Sequence, residues 1–345
     1  MTITPFGIAC RGVLRGSRAS QKGSRQMVEL RQDCKLEGMT QSDHGQGWRG
    51  TFSFVRDRAK FFRPGAKEEL RILVIADTHL ALDDERGLPC KEFSSRMASA
   101  FYKTRHVRTG LPTSPPHCFE EALAAAIEAE VDLVILNGDI LSFPSEAGVE
   151  WVCERLESSG LRWVYTCGNH DWHYEGLPGS MERLRIEWSA LRLSRLHQGR
   201  EPLMASLDIK GLKIVVLDNS TYEIKEEQLE FFLREAASGE PLLLAMHIPL
   251  YAPGRGVMFG CGHPEWGAKT DQGHETERRP RWPEAGHTAV TMEFHREVFS
   301  TPNLLGVLSG HIHEASVDVV NGIPQIVSGA NAGGGVLWVD VGPLI

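Results

Sequence analysis

No CxxC pair occurs in this chain, and its seven cysteines (Cys10, Cys34, Cys90, Cys118, Cys153, Cys167 and Cys261) are odd in number and scattered. Neither a disulfide framework nor a thiolate zinc site is indicated, so a reducing, cytoplasmic compartment is expected. No apolar run approaches the ~20 residues that cross a bilayer, and no membrane partner is expected. Basic excess is also missing. The net charge is −8, whereas a general nucleic-acid binder carries a basic face, so nucleic acid is not the expected partner. Acid is missing from one stretch: Met1 to Met27 holds five basic residues, Arg11, Arg15, Arg18, Lys22 and Arg25, and no Asp or Glu. That stretch lacks both an amphipathic apolar face and an apolar core segment, so it fits neither a transit nor a signal peptide. Residues 1–45 read as a flexible tail.

What is present suits one large domain over 46–345. The chain has 345 residues, 41% of them hydrophobic, enough for a sizeable core. "WRGTFSFV" (48–55) alternates as a strand does. Five short apolar runs come after it, and each breaks off abruptly: "RILVIA" (71–76), "VDLVIL" (131–136), "LRWVYTC" (161–167), "PLLLAM" (241–246) and "NLLGVLS" (303–309). Runs of this composition read as strands buried on both faces. Helical patterns over 119–130, 145–160 and 225–239 precede three of them. Residues 202–218 read as two strands about Lys210-Gly211, Asn321-Gly322 marks a hairpin, and 334–341 reads as a last strand. Alternating strands and helices succeeded by hairpins predict a mixed-sheet α/β domain.

Two segments interrupt the alternation. Residues 81–117, with Pro, Gly and mixed charge, read as a long surface loop. Residues 252–287 come directly after a strand end and combine Gly hinges with Trp and Arg, so they are expected to wall or cover a site. Within them His263, His274 and His287 read as surface residues rather than ligands, and Arg278 and Arg279 as solvated charge.

The chemistry lies at the carboxyl end of each apolar run. The first run releases Asp77-Thr78-His79, the second Asn137-Gly138-Asp139, and the third Gly168-Asn169-His170-Asp171. The fourth releases His247, and the fifth Gly310-His311-Ile312-His313. Open α/β sheets place their sites at such strand ends. Two Asp, one Asn and four His form a sulfur-free oxygen and nitrogen set, suited to Mn, Fe or Zn rather than calcium. Seven groups exceed one ion but serve two if a carboxylate bridges them. Two such ions can share a hydroxide as nucleophile and clamp a phosphoryl oxygen.

The order D-x-H, G-D, G-N-H-D, H, G-H-x-H resembles the calcineurin-like metallophosphoesterase superfamily, over residues 71–313. The resemblance implies a four-layer α/β/β/α sandwich of two mixed sheets flanked by helices. It implies a first divalent ion on Asp77, His79, Asp139 and His313, and a second on Asp139, Asn169, His247 and His311, with Asp139 bridging. His170 would donate a proton to the leaving oxygen, and Asp171 would orient its ring and raise its pKa. Ser142 stands where the family often has a further Asp and where purple acid phosphatases place an iron-ligating Tyr, so that branch is excluded. The D-R-G and G-N-H-E motifs of the Ser/Thr protein phosphatases are also absent. What remains is the phosphodiesterase group: a hydrolase in which a metal-bridging hydroxide attacks the phosphorus of a small-molecule phosphoester, a cyclic nucleotide or other small diester. A monoesterase or nuclease of the same superfamily is the alternative. A non-catalytic metal-binding scaffold is the reading from another class, and against it all seven ligand positions and His170 are filled.

Overall fold

The computed structural model describes residues 35–40, 50–63, 65–99, 101, 104–267, 269 and 285–343. The strands in chain order are β1 (Lys35–Thr40), β2 (Gly50–Val55), β3 (Arg58–Arg63), β4 (Leu70–Ile75), β5 (Thr104–Arg105), β6 (Pro112–Thr113), β7 (Leu133–Asn137) and β8 (Trp163–Thr166). They continue with β9 (Met204–Ile209), β10 (Leu212–Leu217), β11 (Leu242–Ala245), β12 (Leu304–Ser309), β13 (Ser316–Val320), β14 (Ile323–Val327) and β15 (Leu337–Pro343). The α-helices are α1 (Lys91–Met97), α2 (Pro115–Glu128), α3 (Glu146–Ser159), α4 (Met181–Trp188), α5 (Ser194–His197), α6 (Glu226–Ala236) and α7 (Ala289–Val298).

The strands form two large mixed sheets, in the orders β1-β2-β3-β15-β4-β7-β8 and β13-β14-β12-β11-β10-β9. Strand periodicity explains why the central strands are apolar throughout. Successive side chains point to opposite faces, and both faces are covered. Ile72 and Val74 of β4 pack with Leu133 and Ile135 of β7 against Ile214, Val216, Leu243 and Ala245 of the other sheet. The alternate residues Leu73, Ile75, Val134 and Leu136 face Phe119, Leu123, Val152 and Leu156 of α2 and α3. On the far side, Val215, Leu217, Leu242 and Leu244 meet Leu229 and Phe232 of α6 and Phe294 and Val298 of α7. The result is the expected α/β/β/α sandwich. Each fully buried Leu, Ile or Val contributes roughly 1.5–3 kcal/mol, so the strand ends are fixed by a deep core beneath them.

Local chemistry sets the helix limits. Ser145 caps α3 by accepting the Gly148 N–H at 3.0 Å, and the helix stops at Gly160, whose φ is 68°. Thr288 caps α7 in the same way through Thr291.

Two sequence expectations differ from what the fold shows. Lys35–Thr40 lies inside the segment expected to be a flexible tail, yet it pairs antiparallel with β2. Such pairing needs only main-chain N–H and C=O groups, which composition does not report. The rest of that segment lies outside the described residues. Residues 81–117 are not a plain surface loop either. They hold a 3₁₀ turn over Glu85–Cys90, helix α1, and the β5–β6 ribbon. Asp84 caps the turn through the Arg86 N–H, Arg86 is bonded to Glu150 of α3, and Met97 is buried in the core.

Candidate metal centre

Five strand ends converge on one spot because the parallel strands β4, β7 and β8 of one sheet and β11 and β12 of the other all finish at the same edge of the sandwich. The turns leaving these strands are tight. Asp77, His79, Asp139, His311 and His313 all have positive φ, between 50° and 73°. Non-glycine residues rarely adopt this region, and such strain concentrates at functional sites. Gly138 and Gly168 allow the close approach. A Cβ on Gly138 would run into the His247 ring, and one on Gly168 would run into the Asp139 carboxylate.

The side chains form two groups that share Asp139. Asp77, His79, Asp139 and His313 make one, and Asp139, His247 and His311 the other, with the ligand atoms of each lying within 4.8 Å of one another. The His79 and His313 Nε2 atoms are 2.9 Å apart. Asp77 Oδ1 is 3.4 Å from His313 Nε2, and Asp139 Oδ2 is 3.1 Å from His247 Nε2. Both carboxylates are buried, and among the described residues neither pairs with Lys or Arg. Buried charge without a permanent counter-ion is costly, and a bound cation removes that cost.

Hydrogen bonds leave the ligand atoms open. The Nδ1–H of His247 donates to the Asn137 carbonyl at 2.8 Å, which turns the Nε2 lone pair toward Asp139. His247 Nε2, His311 Nδ1 and Asn169 Oδ1 are buried without a hydrogen-bond partner among the described residues. Asp139 Oδ1 accepts the His170 N–H at 2.8 Å, and Asp77 accepts the His311 N–H at 2.9 Å. These orphaned atoms, together with two buried carboxylates that have no Lys or Arg partner among the described residues, fit divalent metal ions.

Electrostatics without a cation point the same way. Burial drives His79 well below its usual pKa and lowers His311 to about 3, so both stay neutral donors. Burial also lowers His247, but Asp139, Asp77 and the Asn137 carbonyl outweigh it and raise it to about 10. A proton there takes the place a cation would have. Asp139 is itself held well below the carboxylate range, because His247 and His170 outweigh the effect of burial.

Beside these two groups lies a cavity of about 280 Å³. Its walls include His170, Asn169, Met97, Phe101, Trp172 and Tyr222. Phe101 stacks on the His79 ring at 4.3 Å, and the Tyr222 hydroxyl is 3.4 Å from His311 Nε2. Asp171 is placed differently from expectation. Its oxygens accept the N–H groups of Leu141 and Gly168, both at 2.7 Å, and His170 Nδ1 has no partner among the described residues. The carboxylate holds two strand-end turns together rather than the imidazole. Burial and the nearby Asp139 raise its pKa to about 7.

Several residues have roles that the sequence did not assign. Asn137 sends its amide to the Met246 and Leu308 carbonyls, bridging the two sheets under the site. Asn219 exchanges hydrogen bonds with Ile248, beside His247, and Gln325 does the same with Leu250. Tyr222 lies just past β10, whose end releases Asp218-Asn219, so the same strand-end placement rule would have pointed to this stretch. Phe101 and Met97 had no signal beyond lying in an insertion.

The segment 252–287 contributes no wall to this cavity among the described residues. His263 sits against Tyr251 at 4.3 Å, and His287 stacks on Trp266 and bonds Glu223 at 3.0 Å, so both are structural. Burial pushes the Cys261 thiol far up, which suits no nucleophile. His274, Arg278 and Arg279 lie outside the described residues, and so does much of the segment expected to cover the site.

No curated protein matches the sequence. Among solved structures, a dimetal phosphatase from Danio rerio shares 13% identity with a TM-score of 0.46, covering 76% of this chain and 88% of that one. A purple acid phosphatase from yellow lupin (Lupinus luteus) seeds shares 12% with a TM-score of 0.43, covering 89% of this chain and 51% of that one. An archaeal phosphodiesterase shares 14% with a TM-score of 0.31, covering 76% and 84%. The profile of the calcineurin-like phosphoesterases matches residues 70–315, so the chain belongs to that family of metal-dependent phosphoesterases.

Proposed function

We propose that the protein is a two-metal phosphodiesterase acting on a small-molecule diester. The observation that carries this reading is the shared Asp139: one buried carboxylate belongs to both groups of potential ligand atoms, and beside it His247 Nε2, His311 Nδ1 and Asn169 Oδ1 are buried without a hydrogen-bond partner among the described residues. Asp77, His79, Asp139 and His313 would hold the first ion, and Asp139, Asn169, His247 and His311 the second. When bound, such ions supply a nucleophile from water at neutral pH and withdraw charge from the phosphoryl oxygens.

The chain's own residues do the rest. In the hydrolysis, an oxygen from water bonds to phosphorus while the bond from phosphorus to the leaving oxygen breaks. His170, in the cavity wall and edge-on to His79 at 5.0 Å, would give a proton to that leaving oxygen. Asp171 would act at one remove, by keeping the Gly168 and Leu141 turns in place. The apolar cavity would take one ester substituent and exclude water from it. The five free cysteines among the described residues support a reducing, cytoplasmic location, and no helix among the described residues is long and apolar enough to cross a membrane.

The deciding experiment strips the protein of metal, restores Mn²⁺, Fe²⁺ or Zn²⁺ singly, and compares bis-p-nitrophenyl phosphate with p-nitrophenyl phosphate. The expected result is two ions per chain and a higher kcat/KM on the diester. Faster cleavage of the monoester would replace the diester reading with a phosphomonoesterase. Metal binding without turnover of either would leave the scaffold.

A further inference from the structure

A second, larger depression meets the apolar cavity at Phe101 and His313, which line both. It has a volume of about 1010 Å³. Its lining residues include four arginines, Arg56, Arg58, Arg105 and Arg108, and two acids, Asp57 and Glu314. Positive charge is thus in surplus along this groove, although the chain as a whole carries −8.

The arginines are held in place. Arg58 bonds Asp340 at 2.8 Å and lies over the Trp338 ring at 5.2 Å. Arg108 bonds Asp57 at 2.7 Å, and Arg105 donates to the Gly110 carbonyl at 2.8 Å. A guanidinium has five N–H donors, so one anchoring contact leaves others for a ligand. The Arg58 and Arg108 side chains remain 47% and 57% exposed, so those donors are within reach of one. A planar fork suits phosphate oxygens in particular.

We propose that this groove is a binding site for an anionic, phosphate-bearing arm of the substrate, whose other arm occupies the apolar cavity. The proposal rests on the phosphodiester reading above. The two substituents of a diester leave phosphorus in different directions, and two cavities meeting beside the metal ligand candidate His313 give each its own place. The charge contrast assigns them: the aromatic or aliphatic arm goes to the wall of Met97, Trp172 and Tyr222, the phosphate-bearing arm to the arginines. A groove of this volume in an acidic chain favours a small molecule over a nucleic-acid polymer.

The test compares two esters that share a leaving group: thymidine 5′-(p-nitrophenyl phosphate) and the same compound carrying a 3′-phosphate. In the Mn²⁺-loaded protein the 3′-phosphate should lower KM about tenfold, the scale of one charge-assisted hydrogen bond. In Arg105→Ala/Arg108→Ala that ratio should fall toward one, and in Arg105→Lys/Arg108→Lys it should stay intermediate, with circular dichroism confirming that each variant folds. Equal KM values for the two esters in the unmodified protein, or an unchanged ratio in the folded alanine variant, would overturn the proposal. If neither ester is cleaved, the phosphodiesterase reading fails separately. The groove is then judged by calorimetric titration of the EDTA-treated protein with thymidine 3′,5′-bisphosphate. Saturable binding that weakens about tenfold in the alanine variant supports the site. No binding, or equal binding by both proteins, refutes it.

Discussion

Replacing Asn137 with alanine tests whether the site is held by a contact between the sheets. The Asn137 amide donates to the Met246 carbonyl at 3.2 Å and to the Leu308 carbonyl at 3.1 Å. Leu308 keeps a second donor, the Met246 N–H at 3.1 Å, so its loss is partial. The Met246 carbonyl loses the amide that reaches it, in a fully buried position. An orphaned buried group costs about 1–3 kcal/mol. The Asn137 Oδ1 is already without a partner, and removing it offsets a fraction of that cost. The net expectation is about 2 kcal/mol, or a fall in Tm of about 3 °C for a domain of ~300 residues. Urea unfolding of the metal-free protein measures it without the contribution of bound ions. Asn137→Asp should be worse than alanine, because a carboxylate would face two carbonyl oxygens. The His247 bond goes to the main-chain carbonyl of Asn137, which both variants retain, so metal content at saturating Mn²⁺ should hold. Destabilisation below ~0.5 kcal/mol, the range of ordinary surface substitutions, would show that strand pairing alone fixes these ends.

Other substitutions should fail in distinguishable ways. His170→Ala should keep its metal and lose ~10²–10⁴-fold in turnover, most on esters with poor leaving groups, because p-nitrophenolate departs without a proton. Asp139→Asn should lower the occupancy of both ions in elemental analysis, whereas His313→Ala should mainly affect one. Asp171→Asn turns one N–H donor toward another at Gly168 or Leu141, so it should cost about 1–3 kcal/mol in unfolding experiments as well as activity. In the metal-free protein, His247 is raised from 6.5 to about 10. Its stabilisation should therefore be complete below pH 6.5 and decline as pH rises toward 10, and His247→Gln should flatten that decline. A wild-type stability profile parallel to that of the variant would contradict the assignment.

Much of this was readable from residue order. Apolar runs ending in Asp77, Asp139, Asn169, His247 and His311 identified strands, their buried character and a candidate ligand set, because strand periodicity and strand-end placement are local rules. The pairing of those strands into two sheets came only from family resemblance. Distance along the chain hid the rest. The Asn137 contacts with Met246 and Leu308 span 109 and 171 residues, and no local pattern encodes a partner so remote. Asp171 shows the limit most clearly. Its neighbour in sequence is His170, which suggested an imidazole partner, but the turn aims its carboxylate at the Leu141 N–H, 30 residues away. The walls of the two cavities depend on the same closure. Phe101 and Arg105 are unremarkable in sequence and become a stacking ring and a groove wall only once the 81–117 segment folds back over His79 and His313. Sequence alone determined which atoms could hold metal. Tertiary packing decided which of them are left without any other partner, because only burial removes the water that would otherwise satisfy them.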